Sequence, residues 1–361
     1  MISLAPTHPG PSRELLDHEG GFLWWYAEAL DEAGNGLVLI WSFGLPFLPS
    51  WAGPAREGVR AALRTRPAIN IALYSEGRLD GYWLEELDPA DARWDGAERW
   101  RFGNSRFEIT RRDGRLLLDA ELDVRTPGAA ESLQGQVTFD TVAARVEHGF
   151  AWDQRHAWTP LAGPGRADWA LRCGARTWAG EGAPYLDRNH GEVMLDELGI
   201  HTWHWGHGSF ADEQRIAYAL VGEGGEARAF GVSIHADGRV EVRDDLRARF
   251  GPARRTLFGM RERAWWAVED DAGTWLRCDA SLRVDDGFFY LRHLGPAARG
   301  AERAFGSSEV IQPARVDLPR HRALVHMRIG RAGRDSIWSP LFTGPRAGRL
   351  GRLLQHWGAA A

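Results

Sequence analysis

Tyr185, Asp187 and Asn189 are the residues whose types and spacing best suit chemistry in this sequence. They alternate within residues 185–191, and alternate residues of a β-strand point to the same face of the sheet. A carboxyl group between a phenol and an amide, in aromatic-rich surroundings, can give or take a proton. The same string, Asp-Arg-Asn-His-Gly, also suits an exposed turn, and the residue pattern leaves that alternative open.

His156 and Trp158 precede this stretch and are again two residues apart. On a strand they share a face, so an imidazole and an indole can lie side by side. The surrounding elements must therefore be strands if these five side chains are to meet at one site.

Short strand-like runs separated by glycine turns fill most of the chain, and long helical periodicity is scarce. This spacing predicts an all-β protein built from antiparallel sandwiches or barrels. A weak internal repeat, Trp24-Trp25-Tyr26 and Trp203-His204-Trp205, suggests two similar units. We predict an N-terminal arm (1–18), two β-domains (19–195 and 196–345) and a short C-terminal helix (346–361), with the motif near the domain junction.

Composition excludes several function classes. All 44 basic residues are arginine, so Schiff-base chemistry, pyridoxal phosphate attachment and a Walker phosphate loop are excluded. The net charge of −5 argues against a nucleic-acid partner. The 18 tryptophans favour walls that hold extended apolar or sugar ligands.

Two segments raise the question of membrane contact. Residues 33–55 contain no charged side chain, and prolines and a glycine within them oppose a regular helix. We interpret this segment as a strand to Phe43 followed by an apolar loop over 45–51. That loop either dips into a bilayer surface or rims a lipid-sized opening, or it folds over the core, and the sequence leaves these alternatives open. The arginine-containing C-terminal helix can favour an anionic surface. No signal peptide is predicted, so we expect a cytoplasmic protein, with peripheral membrane contact possible.

The run His201–His207 invites a metal site, but strand geometry opposes it. His201 and His207 share a face yet lie about 20 Å apart, and His204 faces the other way. We therefore expect no metal, and we assign Trp203 and Trp205 to the wall of the second barrel.

The combination of Tyr185-x-Asp187-x-Asn189-x-Gly191 with His156-x-Trp158 and Pro160 resembles the carotenoid 1,2-hydratases, also called hydroxyneurosporene synthases. Residues 21–26, 70–74 and 336–345 resemble the same family in the same order. The resemblance implies a lipocalin-like two-barrel fold and water addition to the terminal double bond of an acyclic carotenoid. The family commonly has tryptophan where this chain has His190, which alternation places on the face away from Asp187.

Carried onto this chain, the resemblance implies a catalytic set of Asp187, His156, Tyr185 and Trp158. We expect Asp187 as the acid, Trp158 and Tyr185 as wall and cation stabilisers, and His156 either orienting Asp187 or accepting the proton of water. A carboxyl among apolar walls keeps its proton near neutral pH because burial disfavours the charge. No cofactor is expected. The expected substrate-binding residues are Trp25, Tyr26, Asn70, Asn189, Trp203 and Trp205.

Three other functions stay open at this stage. A cyclase or pericyclase, similar to tocopherol cyclases or fungal Diels–Alderases, would use the same scaffold without adding water. A lipid or pigment carrier would bind the hydrophobic small molecule and release it unchanged. A glycoside-cleaving protein would need two carboxylates across a cleft, of which the sequence offers one good candidate.

Overall fold

The computed structural model describes residues 2–8, 10–96, 98–150, 155–331, 333–350 and 353. Its strands, numbered β1 to β27 in chain order, form two large sheets and one small ribbon. The strands of the first sheet are β1 (Ser3–Leu4), β2 (Phe22–Leu30), β3 (Gly36–Phe43), β4 (Pro67–Ser75), β5 (Arg78–Glu86), β6 (Ala92–Trp94), β7 (Arg99–Phe102), β8 (Ser105–Arg112), β9 (Arg115–Arg125), β10 (Ser132–Ala143), β11 (His156–Pro160), β12 (Ala162–Cys173), β13 (Arg176–Gly191), β26 (Gly330–Arg331) and β27 (Gly344–Pro345).

The second sheet follows in the chain. Its strands are β14 (Ile200–Ser209), β15 (Glu213–Gly222), β16 (Ala227–His235), β17 (Val240–Arg243), β18 (Arg247–Phe250), β21 (Trp265–Asp270), β22 (Gly273–Asp279), β23 (Leu282–Asp286), β24 (Tyr290–Arg299) and β25 (Glu302–Ile311). The ribbon pairs β19 (Ala253–Arg255) with β20 (Arg261–Arg263). The helices are short: α1 (Arg13–Asp17), α2 (Pro49–Arg56), α3 (Pro319–His326) and α4 (Ser339–Phe342), with 3-10 turns at Leu63–Thr65, Pro89–Asp91, Leu195–Leu198 and Pro313–Arg315.

The prediction of an all-β fold with two packed, mostly antiparallel units is confirmed, since each sheet curls into a half-barrel. The first sheet runs in the order β26-β5-β4-β3-β2-β13-β12-β10-β9-β8-β7-β6, and the second runs β17-β16-β15-β14-β25-β24-β22-β21-β18. The short strands β26 and β27 return to pair with β5, so the C-terminal part of the chain rejoins the first sheet. The domain bounds drawn from the sequence remain predictions.

Strand β2 explains how the two half-barrels pack. All nine of its residues are buried, unlike β9, where exposed and buried residues alternate. One face of β2 carries Trp25, whose ring packs on Trp100 and Phe107 inside the first half-barrel. The opposite face carries Trp24, Tyr26 and Glu28, which lie against the second sheet. A strand buried on both faces is expected to be mostly apolar, and β2 is apolar apart from Glu28 and the hydroxyl of Tyr26.

Strand β13 is 16 residues long and changes partners along its length. Residues 176–182 pair with β12, whereas residues 183–191 pair with β2 on one side and β11 covers the end of the strand on the other. Its burial changes at the same point, from mostly exposed before Pro184 to mostly buried after it. The stretch that contains Asp187 is therefore the part of β13 enclosed between the two sheets.

The apolar segment 43–51 folds over the core, which was one of the two sequence interpretations. Strand β3 ends at Phe43 as predicted, but α2 begins at Pro49, where we expected only a loop. Leu48 and Trp51 are buried, and the Trp51 indole donates a 2.9 Å hydrogen bond to the Gly21 carbonyl. The predicted C-terminal helix falls largely outside the described residues. None of the described helices has the length and apolar composition needed to cross a bilayer.

Candidate active site

Pairing between strands brings the predicted site residues together. Asp187 lies between Tyr26 of β2 and Pro160 of β11, and Asn189 lies between Trp24 and Trp158. Because β2, β11 and β13 are neighbours in register, their alternating side chains project from one face of the first sheet. That face points toward the second sheet.

Asp187 is buried, with 3% of its surface exposed, and it accepts three hydrogen bonds. The Tyr185 hydroxyl and the Trp158 indole both donate to Oδ2, at 2.6 and 2.8 Å. The Asn189 amide donates to Oδ1 at 3.0 Å. All three donors are neutral, so they orient the carboxyl group without supplying a positive charge.

His156 reaches Asp187 through Asn189. Its Nε2 lies 2.9 Å from Asn189 Oδ1, while the amide nitrogen of Asn189 donates to Asp187. An amide oxygen only accepts, so Nε2 carries the proton in this arrangement. The imidazole is fully buried behind Asn189 and does not line the cavity described below.

Burial raises the pKa of Asp187 to about 7, from an ordinary value of 3.8. The hydrogen bonds from Tyr185, Trp158 and Asn189 favour the ionised form and oppose this shift, and the nearby charge of Glu309 adds to it. The group therefore holds a proton near neutral pH, as the sequence argument for an acid among apolar walls requires.

The second sheet supplies the opposite wall in rows across its strands. Tyr218, Trp205, Glu309 and Arg292 lie directly opposite one another on β15, β14, β25 and β24. Trp203, Ile311 and Tyr290 form the next row. The two tryptophan-containing stretches that suggested a repeat therefore face each other across the gap between the sheets.

A small cavity of about 40 Å³ lies between these walls, beside Asp187. It has room for roughly two or three water molecules. Its lining is mostly aromatic and aliphatic, with four polar side chains among them. The lining residues are Trp24, Tyr26, Ile40, Leu45, Phe47, Asp187, Asn189, Trp203, Trp205, Tyr218, Tyr290, Arg292, Glu309 and Ile311.

The sequence analysis missed Arg292 and Glu309, which form a buried ion pair in this lining. Arg292 donates to Glu309 Oε1 from Nε and Nη2, at 3.1 and 2.9 Å, and from Nη1 to the Tyr74 hydroxyl at 2.6 Å. The Tyr290 hydroxyl donates to the same Oε1 at 2.6 Å. Their strands also carry Arg299, Glu302 and Arg303, so nothing in the sequence singles out Arg292 and Glu309 or pairs them.

Glu28 marks a second buried cluster that the sequence analysis missed. Its Oε1 lies 2.7 Å from His207 Nε2, and its Oε2 accepts from the Tyr26 and Ser307 hydroxyls at 2.7 and 2.8 Å. Burial opposes the ionised form, but His207 and Arg292 outweigh it and lower the pKa of Glu28. This cluster joins the two sheets directly behind Tyr26.

The predicted site residues do not all reach the cavity. Tyr26, Asn189, Trp203 and Trp205 line it, whereas Trp25 lies on the other face of β2. Asn70 shares the site face but donates to the Trp83 carbonyl at 2.7 Å and does not line the cavity.

Two predicted wall residues do not lie in the wall, whereas His204 faces away as strand alternation predicts. We expected Trp158 and Tyr185 in the wall, but both lie behind Asp187 with their polar atoms directed at it. His204 faces away, and burial lowers its pKa to about 3. Among the described residues, no cluster of three His, Cys, Asp or Glu side chains is placed to hold a metal ion.

A larger cleft, of about 810 Å³, opens elsewhere at the first sheet and contains none of these residues. Its lining is polar, and several of its charges are paired: Arg125 with Glu85 and with the nearby Asp335, and Arg331 with Glu86. Paired charges facing water do not suit a hydrocarbon, so the small cavity is the better candidate site.

The sequence is similar to proteins of carotenoid metabolism. An acyclic carotenoid 1,2-hydratase of Thiocapsa roseopersicina is 27% identical over 331 residues, covering 90% of this chain and 76% of that protein. A hydroxyneurosporene dehydrogenase of Chlorobaculum tepidum is 26% identical over 360 residues, covering 91% of this chain and 92% of that protein.

Comparison of structures supports the fold. The crystal structure of an AttH protein from Nitrosomonas europaea matches with a TM-score of 0.57 at 15% identity, covering 86% of this chain and all of that one.

In sequence, residues 48–338 match the family described as "Carotenoid hydratase CrtC". The match spans well over half of the chain, and it confirms the expected enzyme class, a hydro-lyase. The chain belongs to the carotenoid hydratase family.

Proposed function

We propose that this protein adds water to the terminal double bond of an acyclic carotenoid or a related polyene, by acid catalysis at Asp187 and without a cofactor. One observation carries the proposal: a buried carboxyl group whose pKa is about 7 faces a cavity walled by aromatic side chains. The activity in the name of the Thiocapsa roseopersicina relative and the family membership support the same reaction.

The reaction begins with a proton from Asp187. The proton goes to the less substituted carbon of the double bond, and the more substituted carbon becomes a tertiary cation. The rings of Trp203 and Trp205 line the cavity and stabilise this cation by roughly 1–2 kcal/mol each where water is excluded. Tyr26 also lines it, but the Arg292 guanidinium already lies 5.5 Å from the centroid of its ring. Water then bonds to the cationic carbon and loses a proton, so the product is a tertiary alcohol.

The residues behind Asp187 hold it in position. Tyr185 and Trp158 fix Oδ2, and Asn189 fixes Oδ1. His156 in turn fixes the orientation of the Asn189 amide. Oδ2 already accepts two hydrogen bonds and Oδ1 accepts one, so the acidic proton is expected on Oδ1 of a carboxyl group held in a fixed orientation. Proton transfer to a weakly basic alkene requires such preorganisation.

Substrate entry requires the wall to move, because the cavity holds only water-sized molecules in this conformation. Phe47 is half-buried and stacks on Phe289, with ring centroids 5.5 Å apart. We propose that Leu45 and Phe47 shift to admit the end of the polyene, while the rest of the chain remains outside. Phe47→Ala is then expected to lower KM more than it lowers kcat.

The test is the mass of the product formed from an acyclic polyene. Hydration adds one water, ring closure changes nothing, and dehydrogenation removes two hydrogens. We expect a product heavier by one water, labelled by ¹⁸O when the reaction is run in H₂¹⁸O. Recovery of unchanged polyene, or of an isomer of equal mass, would remove the proposal.

Membrane contact through residues 45–51 or the C-terminal helix stays a prediction, and we propose a different contact at the β19–β20 ribbon. Leu257 is 82% exposed at the tip of the β19–β20 ribbon, whose strand β19 carries the exposed Arg254 and Arg255. An apolar tip flanked by arginine can insert at an anionic bilayer surface. Co-sedimentation with anionic vesicles is expected to weaken in Leu257→Ser, and binding that is equal in both proteins would contradict this contact.

A further inference from the structure

Water capture leaves one proton to be removed, and the residue expected to remove it is badly placed. His156 was one candidate acceptor, but its Nε2 is occupied by Asn189 and the ring does not line the cavity. Asp187 has just donated its proton on the side of the first sheet. The other carboxylate among the cavity-lining residues is Glu309, on the second sheet.

The two oxygens of Glu309 differ sharply. Oε1 accepts from Arg292 twice and from the Tyr290 hydroxyl once. Oε2 accepts no hydrogen bond from any residue that the structure describes, although Glu309 is only 7% exposed. Solvent reaches this oxygen, so a bound water can satisfy it in place of a protein donor. The cavity is where such a water fits.

We propose that Glu309 is a second catalytic residue, which binds the attacking water through Oε2 and accepts its proton as the carbon–oxygen bond forms. This rests on the proposed hydration. Asp187 donates a proton to one carbon, the water oxygen bonds to the other, and the proton that the water loses goes to Glu309. Transfer of that proton back to Asp187 through water restores both groups, so the net change is the addition of one water.

The Arg292–Glu309 pair suits this step. A protonated alcohol is a strong acid, so even a carboxylate whose charge is shared with an arginine accepts its proton readily. Arg292 lies over the rings of Tyr26 and Tyr290, 5.5 and 5.3 Å from their centroids, and each of its three side-chain nitrogens donates to Glu309 or Tyr74. Glu309 thus presents a negative oxygen from the second sheet, while Asp187 presents the acidic proton from the first.

The experiment is Glu309→Gln assayed in D₂O with an acyclic polyene, scoring the alcohol and the deuterium in recovered hydrocarbon. Gln keeps an acceptor oxygen for Arg292 but cannot accept the proton. We expect the alcohol to fall by about 10²-fold while the hydrocarbon gains deuterium, because the cation still forms and then loses a proton again. The wild-type protein should yield alcohol with little deuterium in the hydrocarbon.

Controls separate this inference from the proposed function. Glu302→Gln makes the same change on β25 at an exposed, Arg299-paired glutamate and should behave as wild type. If Glu309→Gln does not fold, Glu309→Asp retracts the carboxylate and should raise the ratio of deuterated hydrocarbon to alcohol.

Two results would overturn the role of Glu309 in a wild-type protein that hydrates. One is undiminished alcohol from the folded variant. The other is loss of alcohol with no deuterium in the hydrocarbon, which would place the defect at protonation. A wild-type protein that adds no water would instead remove the proposed function itself.

Discussion

Two buried carboxyl groups, Asp187 and Glu28, lie on the same face of the first sheet but in opposite electrostatic settings. Asp187 has three neutral donors, and burial raises its pKa to about 7. Glu28 is equally buried, but His207 and Arg292 outweigh burial and lower its pKa. Tyr185, whose hydroxyl donates to Asp187, stacks its ring on His207, with the ring centroids 4.6 Å apart. The two clusters are therefore in contact.

The difference shows what neutral hydrogen bonds can do. Three of them orient a carboxyl group but do not offset the cost of burying its charge, whereas a nearby cation does. One cluster is therefore suited to hold a transferable proton, and the other to join two sheets through a stable ionised group.

Asp187→Asn is expected to lower turnover by about 10²–10⁴-fold while the protein stays folded, because the amide keeps the shape of the carboxyl but has no acidic proton. Turnover is measured as alcohol formed per enzyme, and folding by circular dichroism. Asp286→Asn is the matched control, since burial also raises the pKa of Asp286 but it does not line the cavity. Near-wild-type turnover in Asp187→Asn would end the assignment of this residue as the acid.

Glu28→Gln is expected to destabilise the protein by about 3–5 kcal/mol, because it removes the negative partner of buried positive charge. Asp187→Asn should cost far less stability, since no cation depends on that carboxylate. Chemical denaturation of both variants at pH 7 gives the comparison. Equal losses of stability in the two variants would mean that the positively charged neighbours of Glu28 do not make its carboxylate more important for stability than that of Asp187.

Strand alternation in the sequence was enough to place Tyr185, Asp187 and Asn189 on one face, and His156 with Trp158. It could not separate Trp24 from Trp25, because both faces of β2 are buried and each needs aromatic residues. Nor could it find Glu28, Arg292 or Glu309. Their partners lie on distant strands. The alignment of one sheet against the other depends on tertiary packing, which a local sequence pattern does not predict. The fold was more accessible, because regularly spaced glycine turns determine it.

The pH dependence of activity and of stability should both reflect the ionisation of Asp187. Activity needs the protonated acid, so we expect the rate to fall as pH rises through about 7. Because the folded-state pKa lies above the ordinary value, the stability that this group contributes is complete below about pH 4 and is lost as pH rises through 7. Roughly 4 kcal/mol is at stake, and Asp187→Asn should abolish that pH slope. A slope that persists in the variant would assign it to another group.

Tyr185→Phe should give the smallest effect, but it tests most directly what a neutral donor does to the pKa of Asp187. Removing the shortest donor to Asp187 removes a contact that favours the charged form, so the pKa should rise further and the fall in activity should move to higher pH. One neutral hydrogen bond is worth about 1 kcal/mol, which corresponds to a shift of about 0.7 pH units. Tyr218→Phe removes the same hydroxyl from a cavity-lining ring without a hydrogen bond to Asp187, and should leave the profile in place. A shift to lower pH in Tyr185→Phe would mean that Tyr185 stabilises the protonated acid. Neutral donors would then favour the protonated carboxyl group, whereas the comparison with Glu28 has them favouring the ionised one.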